Sequence, residues 1–183
     1  MTTWPRSTTS STDRVRIRRA TPEDARPVAE VHVASWRHAY AGVLPDEYLD
    51  RLSTDEREAM WRGDFADPDR GNGAFVAEEG GRVVGFASFS PSRDEDAPEG
   101  TGEVPAIYVE PSAMGMGVGR ELLEEATAEL RLAGFSRATL WVLEANERAR
   151  RFYENEGWAW DGAVGTHSFG SVDEPMVRYA IDL

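Results

Sequence analysis

Apolar and polar positions change period several times along the chain, and each change marks an element. From Asp13 to Arg19, Val15 and Ile17 alternate with arginine, the period of two expected of a half-buried strand. The run Thr21-Pro22-Glu23-Asp24 reads as a helix start, with Thr21 as N-cap, proline in the first helical position and an acid at the third, as in a capping box. Beyond it, Ala25, Val28, Ala29, His32, Trp36, Ala39 and Tyr40 recur at intervals of three and four and so share one face of a helix that should end near Gly42. Residues 45–65 carry Tyr48, Leu49, Leu52, Met60, Trp61 and Phe65 at helical spacing, and the pattern breaks near Ser53, which predicts two short helices.

The period returns to two in Gly73–Glu79 and Arg82–Ser90, joined by Gly80-Gly81 as a hairpin, and an acidic, turn-rich segment follows over 91–102. Within the next strand, Glu103–Val109, Pro105 has no N–H to give to a ladder and calls for an edge or a bulge. Past glycines 115, 117 and 119, Leu122, Leu123, Ala126, Leu130 and Ala133 mark an amphipathic helix that stops at Gly134. Ser136–Leu143 is mostly apolar, as strands at a sheet centre are. Strand, glycine turn, helix and strand over 103–143 make a βαβ unit with parallel strands. A short helix from Asn146 to Glu156, stopped by Gly157, and two strands near 158–163 and 174–182 complete the chain, without internal repeats.

Apolar residues make up 40% of the 183, enough for one core and too many for disorder, so a single domain over 13–183 is expected. Residues 1–12, rich in Ser and Thr and lacking an apolar run, read as a disordered N-terminal tail and not as an export signal. Arg18-Arg19 has no apolar stretch after it and is not a twin-arginine signal, so a cytoplasmic location is expected. Cysteine and lysine are both absent, since all 20 basic residues are arginine. Their absence excludes disulfides, thiolate metal sites, a thioester on the protein, Schiff-base chemistry and a Walker A phosphate loop. The formal charge of −13 argues against nucleic acid and anionic membranes as partners, and it would draw a cationic substrate. No apolar window is long enough to span a bilayer, and no His, Asp and Glu cluster has metal-ligand spacing.

Chemistry concentrates in Met114-Gly115-Met116-Gly117-Val118-Gly119-Arg120, between a strand and a helix. A turn of this kind points successive backbone N–H groups and the positive end of a helix at one place, which suits a phosphate. A tight connection with no ligand is the bland alternative. A dinucleotide fingerprint would need its third glycine at 120 or 122, where Arg120 and Leu122 stand, and its unit would open a doubly wound sheet instead of following a hairpin. Glu144, at the end of the following strand, is the one residue that suits a ribose.

With Val109-Glu110-Pro111 before it, this turn resembles the pyrophosphate motif of the GNAT superfamily of acetyl-CoA-dependent N-acyltransferases, Gln/Arg-x-x-Gly-x-Gly/Ala. Gly117 and Gly119 match; Met114 departs from the usual Arg or Gln, and Arg120 is the residue that could compensate. A second block, Asn146-Glu147-Arg148-Ala149-Arg150-Arg151-Phe152-Tyr153 up to Gly157, is similar to the family's Asn-x-x-Ala-x-x-Phe-Tyr-x-x-x-Gly helix. Residues 13–65, with the run from Ser35 to Gly42, resemble the family's N-terminal strand and helices, so the likeness spans the chain from about Arg14 to its end. The resemblance implies an α/β domain of the α+β type. Its central sheet would be mixed and mainly antiparallel, of about seven strands, with flanking helices and a splayed parallel strand pair.

It also implies acetyl-CoA as cosubstrate, a primary amine as acceptor, and direct attack in a ternary complex. Ile107, Tyr108 and Val109 would meet the pantetheine arm and the thioester, with Pro105 at the bulge where the strands part. Residues Met114, Gly115, Met116, Gly117, Val118, Gly119 and Arg120 would hold the pyrophosphate, and Asn146, Ala149 and Tyr153, on one helical face, would complete the cofactor site. Tyr153 would protonate the departing thiolate, and Glu103 would take the amine's proton through water. His32, Trp36 and Tyr40 would line the acceptor site, although their spacing suits a core face as well; His38 shares that helix and His167 falls in a Gly/Ser-rich loop. The acceptor would be a small cationic molecule or a peptide N-terminus, favoured by the acidic 94–103 segment, and the sequence leaves a homodimer open. A non-catalytic acyl-CoA-binding regulatory module of the same fold is the alternative. Retention of Glu103 and Tyr153 favours the enzyme, and Met114 leans toward the module.

Overall fold

The computed structural model describes residues 15–66 and 71–183. The 1–12 tail and the start of the first expected strand, Asp13 and Arg14, lie outside the described residues. The chain runs β1 (Arg16–Arg19), α1 (Ala25–Ala39), α2 (Asp46–Asp50), α3 (Thr54–Phe65), β2 (Gly73–Glu79), β3 (Arg82–Pro91) and β4 (Thr101–Val109). It continues through α4 (Val118–Leu132), β5 (Arg137–Leu143), α5 (Glu147–Asn155), β6 (Ala159–Phe169) and β7 (Val172–Asp182). The strands form one seven-stranded sheet in the order β1-β2-β3-β4-β5-β7-β6, antiparallel except for the β4–β5 pair. That is the mixed, mainly antiparallel sheet expected from the resemblance, and its topology excludes a doubly wound dinucleotide fold.

The helices pack on both faces of the sheet. Val28, Ala29 and Val31 of α1 and Trp61 of α3 bury Val76 and Phe86 on one side, while Leu122, Leu123, Ala126 and Leu130 of α4 bury Ala87, Phe89 and Val104 on the other. Covered on both faces, β3 is buried from Val83 to Ser90. The break near Ser53 is a helix start, with the Ser53 hydroxyl accepting from the Glu56 amide at 3.2 Å. Thr21 and Asp24 form the expected capping box, with the Thr21 amide donating to the Asp24 carboxylate at 2.8 Å. Met60 and Ala39, assigned by spacing to buried faces, are exposed.

Two features of β4 build the site. Between the pairs Ser90↔Glu103 and Ser88↔Ala106, β4 advances three residues while β3 advances two, so a bulge sits at Val104-Pro105 where proline required one. On its other edge β4 pairs with β5 only over Thr101–Glu103; beyond Glu103 the parallel strands part. The C-terminal hairpin is longer than its sequence pattern implies. Ala159–Phe169 is largely exposed on both faces at the sheet edge, so no alternation marks it, and His167, expected in a loop, lies on this strand. Gly165 stays small because a Cβ there would come within 3.1 Å of the Trp141 ring.

Candidate active site

Where β4 and β5 part, a cavity of about 950 Å³ opens toward the N-terminus of α4 at one end and toward α1, β6 and the 91–100 connection at the other. Its β4 wall presents main chain. The Glu110 amide donates to the Val84 carbonyl at 2.8 Å, toward β3, so strand alternation turns the amides of Ile107 and Val109 the opposite way, to the parted edge. The Ser35 hydroxyl donates to the Val109 carbonyl at 3.2 Å and fixes that edge from α1.

At the α4 end, Gly115 and Gly117 have φ of 79° and 85°, and a Cβ built on either would meet nothing within 4 Å. An open concave turn results, at the mouth of a 15-residue helix. The first intrahelical bond runs from the Glu121 amide to the Gly117 carbonyl at 3.1 Å, which leaves the amides of Val118, Gly119 and Arg120 without intrahelical partners. Free donors, a helix dipole and empty space fit a pyrophosphate. Arg120 bonds Glu124 at 2.9 Å and stands 3.4 Å from Glu156, so it supplies positive charge beside the turn while held by two acids.

On the α5 wall, the Asn146 side chain accepts from the Ala149 amide at 3.1 Å, which caps the helix and aligns Ala149 and Tyr153 with the cavity. Tyr153 is 7% exposed and packs against Phe152, Trp158 and Tyr179. Burial, and then the neighbouring Tyr40 phenol, push its hydroxyl well above the ordinary tyrosine value, so it keeps its proton. Tyr40 lies within hydrogen-bonding reach of Asn146 and Tyr108, and burial raises both Tyr40 and Tyr108 as well. Three protonated phenols thus converge on the middle of the cavity.

Glu103 lies at the last paired position before the strands part and is 6% exposed. Its carboxylate accepts from the Ser90 hydroxyl at 3.3 Å, the Arg93 Nε at 2.7 Å and the Arg93 amide at 3.3 Å. A carboxylate offers roughly four lone-pair sites, so one remains for the cavity.

Most residues singled out from the sequence come together on this wall: Trp36, His38, Tyr40, Glu103, Pro105, Ile107, Tyr108, Val109, Met114, Gly115, Gly117, Gly119, Arg120, Asn146, Ala149 and Tyr153, with His167, read as a surface residue, among them. Three do not. Met116 is 58% exposed outside the wall, and Val118 packs into the core beneath α4, because a helix N-terminus offers a ligand its amides while its apolar side chains turn inward. His32 is buried behind Tyr108, stacked on that ring at 5.1 Å, and its Nδ1 accepts from the Trp61 indole at 3.3 Å. Burial pushes its pKa down to about 3, so it is a neutral core residue, as its helical spacing also allowed. Ser35, quoted only as the start of a motif, and Arg93, Trp141, Arg148 and Phe169 line the cavity without having been assigned to the site. Nothing in their local spacing marked them; the topology brings them in from five separate segments. Among the described residues no group of three or more His, Asp or Glu could hold a metal ion, and no helix is long and apolar enough to cross a membrane.

The acidic connection is only in part a free anionic surface. Arg178 of β7, with its side chain 8% exposed, bonds Asp94 at 3.0 Å, both oxygens of Asp96 at 2.7 and 2.9 Å, and Asp161 at 2.8 Å. Trp141 Nε1 donates to Asp94 at 3.0 Å. Two acids of the segment expected to attract a cation, Asp94 and Asp96, are therefore engaged by an arginine that pins it to the sheet, while Glu95 and Glu99 stay exposed.

A strand pair parting beside a bulge, just ahead of a glycine turn on a helix, is the arrangement that the resemblance to acyl-CoA-dependent transferases implies. Residues 33–158 match the model of the Acetyltransferase (GNAT) family, and the chain belongs to that family, whose acyl donor is acetyl-CoA. It is similar to the uncharacterized N-acetyltransferase YuaI of Bacillus subtilis, 41% identical over 134 residues that cover 72% of this chain and 73% of YuaI. Similarity to the probable N-acetyltransferase Rv2775 of Mycobacterium tuberculosis is 30% identity over 175 residues, covering 91% and 93% of the two chains. Among solved structures, the fold matches the PaiA N-acetyltransferase of Thermoplasma acidophilum in complex with coenzyme A at a TM-score of 0.75 and 19% identity, covering 93% of this chain and 99% of that one. YncA of Salmonella typhimurium, a putative acetyltransferase solved with its cofactor acetyl-CoA, matches at a TM-score of 0.71 and 26% identity, covering 92% and 94%.

Proposed function

We propose that this acetyltransferase moves an acetyl group from acetyl-CoA to a primary amine by direct attack, without an acylated protein intermediate. The observation that carries the reading is the opening of β4 from β5 directly after Glu103, with Tyr153 on the facing wall and the glycine turn at its end. Acetyl-CoA supplies the acetyl group as a thioester, whose carbonyl carbon the amine nitrogen attacks and whose carbon–sulfur bond breaks. Amides of residues 117–120 bind the pyrophosphate and keep the adenosine end outside. Main-chain groups of Ile107 hold the pantetheine arm, and the Val109 amide donates to the thioester oxygen as negative charge develops there. Glu103 accepts the proton that the amine sheds, directly or through a water on its remaining lone pair. Tyr153 donates its phenolic proton to the departing sulfur and regains one afterwards. Trp36 and Tyr40 bound the acceptor end.

Titration calorimetry with acetyl-CoA, with NAD as control, tests the cofactor site, and release of the CoA thiol on addition of amines tests the chemistry. Micromolar binding of acetyl-CoA alone, followed by amine-dependent thiol release, is expected. Binding without turnover of any amine would establish the non-catalytic module instead.

A further inference from the structure

The charged side chains in the cavity wall are Arg93, Arg120 and Arg148 against Glu103 and Glu156, a set richer in cations than a chain of formal charge −13 suggests. Arg120 and Glu156 belong to the glycine-turn end. At the acceptor end Arg93 and Glu103 face each other, joined by Nε at 2.7 Å. That bond uses one corner of the guanidinium. The Arg93 side chain is otherwise 76% exposed at the mouth, and its two terminal nitrogens carry no further ion pair among the described residues. Asp94 and Asp96, its neighbours in sequence, turn away to Arg178 and Trp141 and do not compete for it. A guanidinium with one corner anchored and its terminal fork open matches a carboxylate bidentately.

We propose that the acceptor is an amino acid with an apolar side chain, its carboxylate received by Arg93 and its amine delivered to Glu103. The inference rests on the acetyltransferase reading above and names its acceptor class. Because the same guanidinium touches Glu103, an acid held on its outer fork brings an amine on the same or the neighbouring carbon beside the proton acceptor. Trp36 and Phe169, packed edge to face at 5.7 Å, and Trp141 line the cavity and offer aromatic surface to the side chain. The indole of Trp141 is fixed by Asp94 and stands free of a side chain at Gly165.

The test measures kcat/KM by thiol release for leucine, methionine and phenylalanine, for their amides, and for spermidine as a carboxylate-free polyamine. Each acid should exceed its amide by about tenfold or more, the range expected for a charge-assisted hydrogen bond. Arg93→Gln should collapse that ratio toward one, and Arg93→Lys should keep part of it. Any effect of these changes on Glu103 lowers acid and amide alike, so the ratio isolates carboxylate recognition. Amides used as well as acids, a ratio unchanged in Arg93→Gln, or turnover of spermidine alone would each overturn the proposal while leaving the acetyltransferase reading in place. No turnover of any amine, with acetyl-CoA still binding in calorimetry, would overturn both.

Discussion

Replacing Arg178 with methionine keeps an unbranched stem and removes the cation on β7 that holds Asp94 and Asp96 of the 91–100 connection to the sheet. The wild-type guanidinium is nearly dry, as are two of its partners: side-chain exposure is 8% for Arg178, 12% for Asp161 and 18% for Asp94. Breaking a buried ion pair by removing one partner costs about 3–5 kcal/mol, because the survivors stay desolvated and unpaired. Here each survivor keeps another donor, Trp141 Nε1 on Asp94 at 3.0 Å and the Ala163 amide on Asp161 at 3.0 Å, and Arg137 stays 3.9 Å from Asp161. Those contacts place the loss near the lower end, at about 2–3 kcal/mol. Asp96, with its side chain 68% exposed, adds little. For a domain of this size that loss lowers Tm by about 5–10 °C.

Thermal unfolding followed by circular dichroism at pH 7 and again near pH 3 would measure it. Hydrogen bonds from Arg178 hold the Asp96 carboxyl below the ordinary carboxylate range. A carboxylate so lowered contributes stability above its unfolded pKa, about 3.9, and loses it as pH falls through the lower folded value. The share of the gap between wild type and variant that Asp96 contributes should therefore be full at pH 7 and shrink below about pH 4. A fall in Tm of less than about 2 °C at neutral pH, or a gap that widens in acid, would refute the reasoning. Because the loosened connection carries Arg93, acceptor KM should rise while acetyl-CoA affinity, set at the far end of the cavity, stays as it was.

Tyr153→Phe keeps the ring contacts with Phe152, Trp158 and Tyr179 and removes only the hydroxyl, so turnover should fall by ~10²-fold with acetyl-CoA affinity little changed; undiminished turnover removes Tyr153 from the proton path. Gly117→Asp places a residue that tolerates positive φ where φ is 85° and nothing lies within 4 Å, so the fold should survive. Its carboxylate would point where the pyrophosphate binds, and acetyl-CoA affinity in calorimetry should drop by ~10²-fold or more; retained affinity would place the phosphates elsewhere.

The fold was legible wherever burial is one-sided. Val15 and Ile17, the α1 face from Ala25 to Trp36 and the α4 face from Leu122 to Leu130 each announce their period because one side meets the sheet and the other meets water. Pro105 announced the bulge because a missing N–H has few places in a sheet. Edge strand β6 was read only over its start, near 158–163: from Val164 to Ser168 it is exposed or half-buried, so no alternation separates it from a loop. His32 was ambiguous for a related reason, since a helical face shows that a side chain turns inward but not whether it meets a cavity or the core. Trp36, one turn on, reaches the cavity while His32 stops behind Tyr108.

The acceptor end was the least legible part, and the reason is electrostatic. Net charge is a sum over the surface, and it predicts attraction of a cation only if the acids near the site are unpaired. In this chain every cation is an arginine, which binds carboxylates through several nitrogens at once, so one buried Arg178 engages Asp94, Asp96 and Asp161 together. Asp94 and Asp161 are thereby turned inward, whereas Arg93, held by a single nitrogen, turns outward at the mouth. Which charges face the acceptor thus depends on contacts between residues as far apart in sequence as Asp94 and Arg178. A chain strongly acidic overall can in this way present a cation at the entrance to its site.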